Sequence, residues 1–580
     1  MAPPSFMGLS GRPLSLAVSA VCTTGFLLFG YDQGVMSGII TAPAFADVIE
    51  ETRDNSTIQG LVTAIYEIGC LMGAMFILMV GDQLGRRRAI IAGGLIMIVG
   101  AVIQCTPYKG KSSLAHFIIG RIVTGVGNGI NTSTIPTYQA ECSKTSNRGL
   151  LICIQGGIIA FGTLIAYWID YGTSYGPPDL VWRFPIAFQV VFGIIISTAM
   201  IWLPESPRWL LTHERYEDAD RVIAAIRGYE VDGHETAVER DVILDSIRAS
   251  GVFGGKSTPY KALLTNGKTQ HFRRMLIGAS SQLMQQVGGC NAVIYFFPIL
   301  CETFITPGDH NKALLLGGVN TIVTSLPTKE SPSQSQLSAT VSWFLIERVG
   351  RRKLFLWGTV GQGLSMVLAF ASLIPHTQSA AIGACVALFT YIASFGATWL
   401  PLPWLYPAEI NPIMTRAKAN AVSTCTNWLF NFFVVLITPV LVSHIGWGTF
   451  LFFAVLNATF IPIIYFFYPE TARRSLEEID IIFAKGNVEN MSYVRAAHSL
   501  PLLSAEEVEQ EALRYGLIDT AARAGKRVEG SNGSANGDVD VEKAQRAETG
   551  SVRSVMDVDA EEKRSEDGAG AVSRKEGRRE

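Results

Sequence analysis

Charge is scarce in this sequence. Asp, Glu, Lys and Arg make up 17% of its 580 residues, where soluble globular proteins carry about 25%. The shortfall lies in the body of the chain, because the stretch from Ser504 to Glu580 is rich in Glu, Lys, Arg, Ser and Gly. The formal net charge is −2, which gives no footing for nucleic-acid binding. Metal-ligand spacing is missing too. The nine cysteines (Cys22, Cys70, Cys105, Cys142, Cys153, Cys290, Cys301, Cys385, Cys425) are scattered, mostly through apolar runs, and read as small buried residues. No metal or other cofactor is expected. No phosphate-cradling glycine loop or nucleophile–base pair stands out, so an enzyme is not expected. A cleavable leader is not expected either. The apolar run from Leu14 to Phe29 passes into Gly30-Tyr31-Asp32-Gln33-Gly34 with no small-residue cleavage pattern, and reads as a first spanning helix.

What the sequence does have is apolar length. Hydrophobic residues are 48% of the chain, and crossing a bilayer takes about 20 of them in a row. About twelve such runs can be marked, half before Pro204 and half after Gln270. Met275–Phe304, Ala313–Ile346 and Ala380–Ile410 each read as one span. The expected class is an all-α, multi-pass membrane protein embedded in a lipid bilayer. Arg86, Arg87 and Arg88, then Arg208 and Arg215, then Arg348, Arg351, Arg352 and Lys353 all fall on one side if every run crosses once. That side reads as cytoplasmic, with both termini on it. The loop before the second span is then outside, where Asn55-Ser56-Thr57 is a glycosylation triplet. The triplets at Asn131 and Asn457 sit inside spans and read as accidental.

The two halves repeat. Gly81-Asp82-Gln83-Leu84-Gly85-Arg86-Arg87 returns as Glu347-Arg348-Val349-Gly350-Arg351-Arg352, Pro204-Glu205-Ser206 as Pro469-Glu470-Thr471, and Glu141 with Arg148 as Glu409 with Arg416. Each copy follows about 265 residues after its original. The expected units are an N-terminal bundle over residues 1–203, a cytoplasmic helical linker over 204–270, a C-terminal bundle over 271–470, and a largely disordered cytoplasmic tail over 471–580. One stretch breaks the pattern. Residues 325–338, SLPTKESPSQSQLS, place prolines, charges and hydroxyls inside the eighth span, where irregular backbone facing lipid is not tolerated. It reads as an insertion, such as a retained intron; a real loop in a broken helix is the alternative.

Inside the apolar runs lie neutral amides. Gln155, Gln285, Gln286, Asn291, Asn320, Asn427 and Asn431, with Trp404 and Trp428, supply groups that both donate and accept, and aromatic planes. These suit a polyhydroxylated ring; amides that merely join helices are the bland alternative. Asp32 and Arg121 are ionisable groups within spans, which are expensive and usually functional, although a fixed structural ion pair would look the same.

The GRR loops, PESPR at Pro204–Arg208, PET at Pro469–Thr471 and Gln285-Gln286-x-x-Gly289-x-Asn291 resemble the sugar porter family of the major facilitator superfamily, over about residues 14 to 480. FGYDQGVMSG (Phe29–Gly38) and WLYPAEINP (Trp404–Pro412) are most similar to fungal hexose and pentose transporters. The resemblance implies a twelve-helix fold of two pseudo-symmetric six-helix bundles, working by alternating access on a monosaccharide, as a monomer, in the plasma membrane. It implies sugar ligands at Gln155, Gln285, Gln286, Asn291, Asn320, Trp404 and Asn427, with Trp428 lining the same cavity and Tyr295 as a gate aromatic. It implies proton symport through Asp32 and its partner Arg121. It also implies a conformational ion-pair network of Asp82, Arg86, Arg87, Glu141, Arg148, Glu205, Arg208, Arg351, Arg352, Glu409, Arg416 and Glu470. Where family members often carry a Glu eight residues before the Trp of span ten, this chain has Gly396. A sugar uniporter, a polyol or quinate transporter, and a non-transporting sugar sensor of the same fold remain the alternatives.

Overall fold

The computed structural model describes residues 4–517 except 7, 54, 111, 144–147, 250–259, 305–309, 326–344, 347, 376 and 413. The suspected insertion at 325–338 therefore lies outside the described residues, save for Ser325 at its edge. So do the side chains of Arg148, Gln155 and Asn320. Past Val508 a second unit begins, of which only the first residues, to Leu517, are described.

The described part is helical throughout. The long helices are α1 (Arg12–Ile39), α2 (Ser56–Leu84), α3 (Arg86–Cys105), α4 (Ser113–Cys142), α5 (Arg148–Thr173) and α6 (Pro178–Trp202). They are followed by α7 (His271–Val287), α8 (Cys290–Phe304), α9 (His310–Ser325), α10 (Arg351–Leu373) and α11 (Gln378–Ser394). The last are α12 (Leu402–Ile410), α13 (Arg416–Ile445) and α14 (Gly448–Phe467). Among the described residues, nine helical segments are long and apolar enough to cross a membrane. Their outer faces carry exposed Met79, Val99, Leu364, Val455 and Phe466, the reverse of a soluble surface and the face a lipid solvent calls for.

Helix starts follow local chemistry. Proline occupies the first turns of α1 and α6, where its missing N–H costs nothing. Asn55 caps α2 by accepting from the Ile58 amide at 3.1 Å. Close helix pairs need small residues. A Cβ on Gly69 of α2 would sit 2.9 Å from the Cα of Gly125 on α4, so the two backbones touch where no larger side chain fits.

Two expected spans are each built from two helices. Met275–Phe304 is α7 and α8, separated at Gly288-Gly289, with Gly289 at φ +96°. The Gly288 carbonyl freed by this break accepts from the Tyr391 hydroxyl at 2.9 Å and Asn457 Nδ2 at 3.0 Å. Ala380–Ile410 is α11 and α12, joined by a wide turn at Phe395–Trp399. Pro401 and Pro403 have no N–H to give the carbonyls of Ala397 and Trp399, so the regular helical bonding is interrupted in that turn.

The sequence repeat is also a structural one. Arg86 Nε donates to Glu141 Oε2 at 3.1 Å, and Arg351 Nε to Glu409 Oε2 at 3.2 Å. Glu205 accepts from the backbone amides of Arg86 and Arg87, and Glu470 from those of Arg351 and Arg352. The Ser206 hydroxyl donates to Glu141 and the Thr471 hydroxyl to Glu409, both at 2.6 Å. Burial raises the Glu205 carboxyl above the usual carboxylate range, opposed by the amides it accepts from. Gly85 and Gly350 sit at φ +86° and +93°, and a Cβ on either would lie 2.7 or 2.5 Å from the Glu205 or Glu470 carboxylate. Glycine is thus demanded twice, for dihedral and for space.

Candidate functional site

A cavity lies between helices of the two halves. Its empty volume is about 810 Å³ including the space open to solvent. Gln33 on α1 and Thr163 and Tyr167 on α5 line one side. Gln285, Gln286, Asn291, Trp404 and Asn427 line the other, with Gly396 and Cys290 between them. Five expected ligands therefore share one wall: Gln285, Gln286, Asn291, Trp404 and Asn427.

Proline decides how these amides point. Pro403 and Pro407 have no N–H to give the carbonyls four residues before them, Trp399 and Pro403. Gln285 Nε2 donates to Trp399 O at 2.8 Å, and Gln282 Nε2 to Pro403 O at 2.7 Å. Both glutamines are thereby turned with Oε1 toward Asn427, whose Nδ2 donates to Gln282 Oε1 at 2.5 Å and Gln285 Oε1 at 3.1 Å. Asn427 keeps Oδ1 as an acceptor to offer. Asn291 Nδ2 donates to Gln286 Oε1 at 2.7 Å and Asn431 Oδ1 at 2.6 Å, which leaves Gln286 its NH2 group as a donor. The wall thus presents both senses of hydrogen bond beside an indole face, as a ring bearing hydroxyls requires.

Trp428 is not brought to the cavity wall. It is fully buried and packs edge-on against Phe29, 5.5 Å between ring centroids, and Phe29 takes the lining position instead. Tyr295 is fully buried behind the wall, its hydroxyl donating to Glu67 Oε1 at 2.7 Å. Asp32 and Arg121 are fully buried, with Tyr66 between them. The Tyr66 hydroxyl donates to Asp32 Oδ2 at 3.0 Å and accepts from Asn128 Nδ2. The Arg121 guanidinium lies over the Tyr66 ring, 4.6 Å from its centroid, and Nη2 donates to Thr63 O at 3.0 Å. Sequence reading paired Asp32 with Arg121 and overlooked the aromatic that joins them.

Of the expected ion-pair residues, Arg86, Glu141 and Glu205 form one of the mirrored clusters already described, and Arg351, Glu409 and Glu470 the other. Asp82 is 3.5 Å from Arg86. Arg87 Nε donates to Met200 O at 3.0 Å, and Arg352 Nη2 to Tyr465 O at 2.8 Å. Arg416 donates to Asn411 O at 3.2 Å and lies within electrostatic reach of Arg208. Asn55 is exposed, whereas Asn131 and Asn457 are buried.

Besides Tyr66, sequence reading missed Gln33 in the cavity wall and the buried carboxylates Glu67 and Asp170. Both carboxylates stand inside apolar runs, so the reasoning that singles out Asp32 applies to them equally. Neither Asp170 oxygen has a hydrogen-bond partner.

Comparison with known proteins bears on what this cavity serves. The family described as "Sugar (and other) transporter" matches residues 17–483. "Sugar transporter STL1" of Saccharomyces cerevisiae is 44% identical over 522 residues, 89% of each chain. "Major facilitator superfamily transporter mfsA" of Aspergillus fumigatus is 43% identical, over 88% of this chain and 93% of that one. Among solved structures, the proton:xylose symporter XylE of E. coli, bound to 6-bromo-6-deoxy-D-glucose, superposes with a TM-score of 0.66 at 23% identity, over 82% of this chain and all of that one. The chain is a multi-pass membrane protein that belongs to the sugar (and other) transporter family of the major facilitator superfamily.

Proposed function

We propose that the chain carries monosaccharides, hexoses or pentoses or both, across the plasma membrane by alternating access and in symport with protons. The observation that carries this reading is the cavity whose amides are fixed by proline-freed carbonyls and whose lining comes from both halves. In this reading two six-helix bundles, twelve spans in all, rock about the cavity, with both termini cytoplasmic and one chain sufficient.

Sugar hydroxyls take the Gln286 NH2 group as donor and the Asn427 and Asn291 carbonyl oxygens as acceptors, and the ring face lies against Trp404. Asp32 accepts the proton. Ionised, it is held by the Tyr66 hydroxyl and by the field of Arg121. Once neutral, it holds that hydroxyl less strongly, and α1 is freer to move relative to α2. Sugar and proton share α1, because Gln33 in the cavity wall follows Asp32 directly.

The test is uptake of labelled glucose, xylose, galactose and a polyol by cells lacking their own transporters, with and without a proton uncoupler. Uphill accumulation of a monosaccharide that the uncoupler abolishes is expected. Accumulation of the polyol alone overturns the sugar assignment, equilibration without accumulation overturns symport, and binding without uptake makes the chain a sensor.

A further inference from the structure

Glu67 has no part in the scheme above, yet it is a fully buried carboxylate in a spanning helix. Oε1 accepts from the Tyr295 hydroxyl at 2.7 Å, and Oε2 has no hydrogen-bond partner. Asp32 is in the same condition: Oδ2 accepts from Tyr66, and Oδ1 has no partner. The groups that face Glu67 are Arg121 from α4, Asp32 from α1, Tyr295 from α8, the neutral amide Asn431 from α13, and Tyr66 and Cys70 from its own helix. Arg121 is the one cation among these groups, and its Nε and Nη1 also lack partners.

One guanidinium balances one carboxylate. With both carboxylates ionised the cluster carries a surplus negative charge away from water, which low-dielectric surroundings penalise heavily. We propose that Glu67 is a second proton-carrying residue of the coupling site, and that Asp32 and Glu67 share one proton around Arg121. The inference rests on the proton-symport reading above. The step is a proton transfer: one O–H bond of hydronium breaks, leaving water, and one carboxyl O–H bond forms. Two such carboxylates titrate as a pair, not as separate residues. Proton uptake brings the cluster from net negative to neutral. With Glu67 uncharged, the same uptake would take Asp32 and Arg121 from neutral to net positive, and would need a more acidic medium.

Glu67 is also placed to feel the sugar. Tyr295 lies on α8 with Asn291, and Asn431, which lies against Glu67, accepts from Asn291 at 2.6 Å. Substrate pulling on Asn291 thus reaches the proton pair through two neighbouring side chains.

The test uses the full chain in transporter-null cells and follows accumulation of a labelled monosaccharide, and its exchange, between about pH 4 and pH 8. Glu67→Gln keeps an oxygen for the Tyr295 hydroxyl but carries no charge. It is expected to move the midpoint of accumulation more than about one pH unit to the acid side while exchange persists. Glu67→Asp keeps the charge and should keep the midpoint nearer to wild type than Glu67→Gln does, whereas Tyr295→Phe, which removes the donor to Glu67, should move the midpoint to the alkaline side. Asp32→Asn with Glu67→Gln should exchange sugar at a rate independent of pH. An unshifted midpoint in Glu67→Gln, beside lost accumulation in Asp32→Asn, overturns the shared proton and leaves symport standing. A wild type without uncoupler-sensitive accumulation overturns symport itself. Should Glu67→Gln fail to reach the membrane, Glu67→Asn, smaller and equally uncharged, reads the same midpoint.

Discussion

The Tyr167 hydroxyl donates to the carbonyl oxygen of Ile294 at 2.6 Å, joining α5 to α8 beside the cavity. That carbonyl is available because Pro298, four residues on, has no N–H to give it. Ser37 of α1 donates to the same oxygen at 3.3 Å. A gap in the hydrogen bonding of one helix is thus filled by two hydroxyls from the other half of the chain.

Tyr167→Phe removes the shorter of these bonds and little else. A buried hydrogen bond contributes about 1 kcal/mol, so the balance between joined and separated halves should shift about fivefold. The concentration dependence of uptake, corrected for the amount of protein at the membrane, should show a half-saturation constant altered by about that factor. Pro298→Ala should move it in the same direction, because the new N–H competes for the Ile294 carbonyl. Half-saturation constants equal to wild type in both variants would show the contact to be idle.

Asn291→Ala leaves Asn431 Oδ1 without this donor and Gln286 Oε1 with the weak Cys290 thiol at 3.5 Å in its place. An unsatisfied buried polar group costs about 1–3 kcal/mol, and here the loss falls on the geometry that meets substrate. Sugar affinity is expected to drop about tenfold or more while the protein still reaches the membrane. Titration of binding by intrinsic fluorescence on purified protein checks this apart from transport rate. Affinity within twofold of wild type would argue that these amides serve only packing.

Gly85→Ala and Gly350→Ala should each destabilise the fold by about 1–3 kcal/mol, the cost of forcing a side chain into a sparsely populated backbone region, aggravated by the carboxylate it meets. Gly172, whose added Cβ meets nothing within 4 Å, is the control and should tolerate alanine. Thermal unfolding of the detergent-purified variants provides the ranking, and equal melting temperatures for all three would contradict it.

Asn55→Gln should abolish an N-linked glycan, seen as faster gel migration that endoglycosidase treatment does not change further. Wild type should respond to the enzyme. A wild-type chain without glycan would remove the support this triplet gives to an external α1–α2 loop.

Much of this could be read from residue order, and the exceptions have common causes. The Arg86–Glu141–Glu205 and Arg351–Glu409–Glu470 clusters were legible because duplication keeps spacing, and equal spacing brings equal partners together. The wall of Gln285, Gln286, Asn291, Trp404 and Asn427 was legible because amides in apolar runs need one another. The place of Trp428 was not. A helix sequence tells which residues share a face, but the face that meets Phe29 is chosen by the opposite half. The orientation of Gln282 and Gln285 was also hidden, since it follows from carbonyls that proline frees on a different helix. Glu67 and Asp170 were hidden by nothing physical; each is a charge in an apolar run.

The mirrored guanidinium–carboxylate knots tie helix ends to their own neighbours, so each works as an internal rivet. Tilting one part of the molecule against the other need not open a rivet, and the energy these pairs hold is not spent in each cycle. What dissolved salt can still screen are the charges that meet across the halves, Arg416 with Arg208 and Lys418 with Asp82.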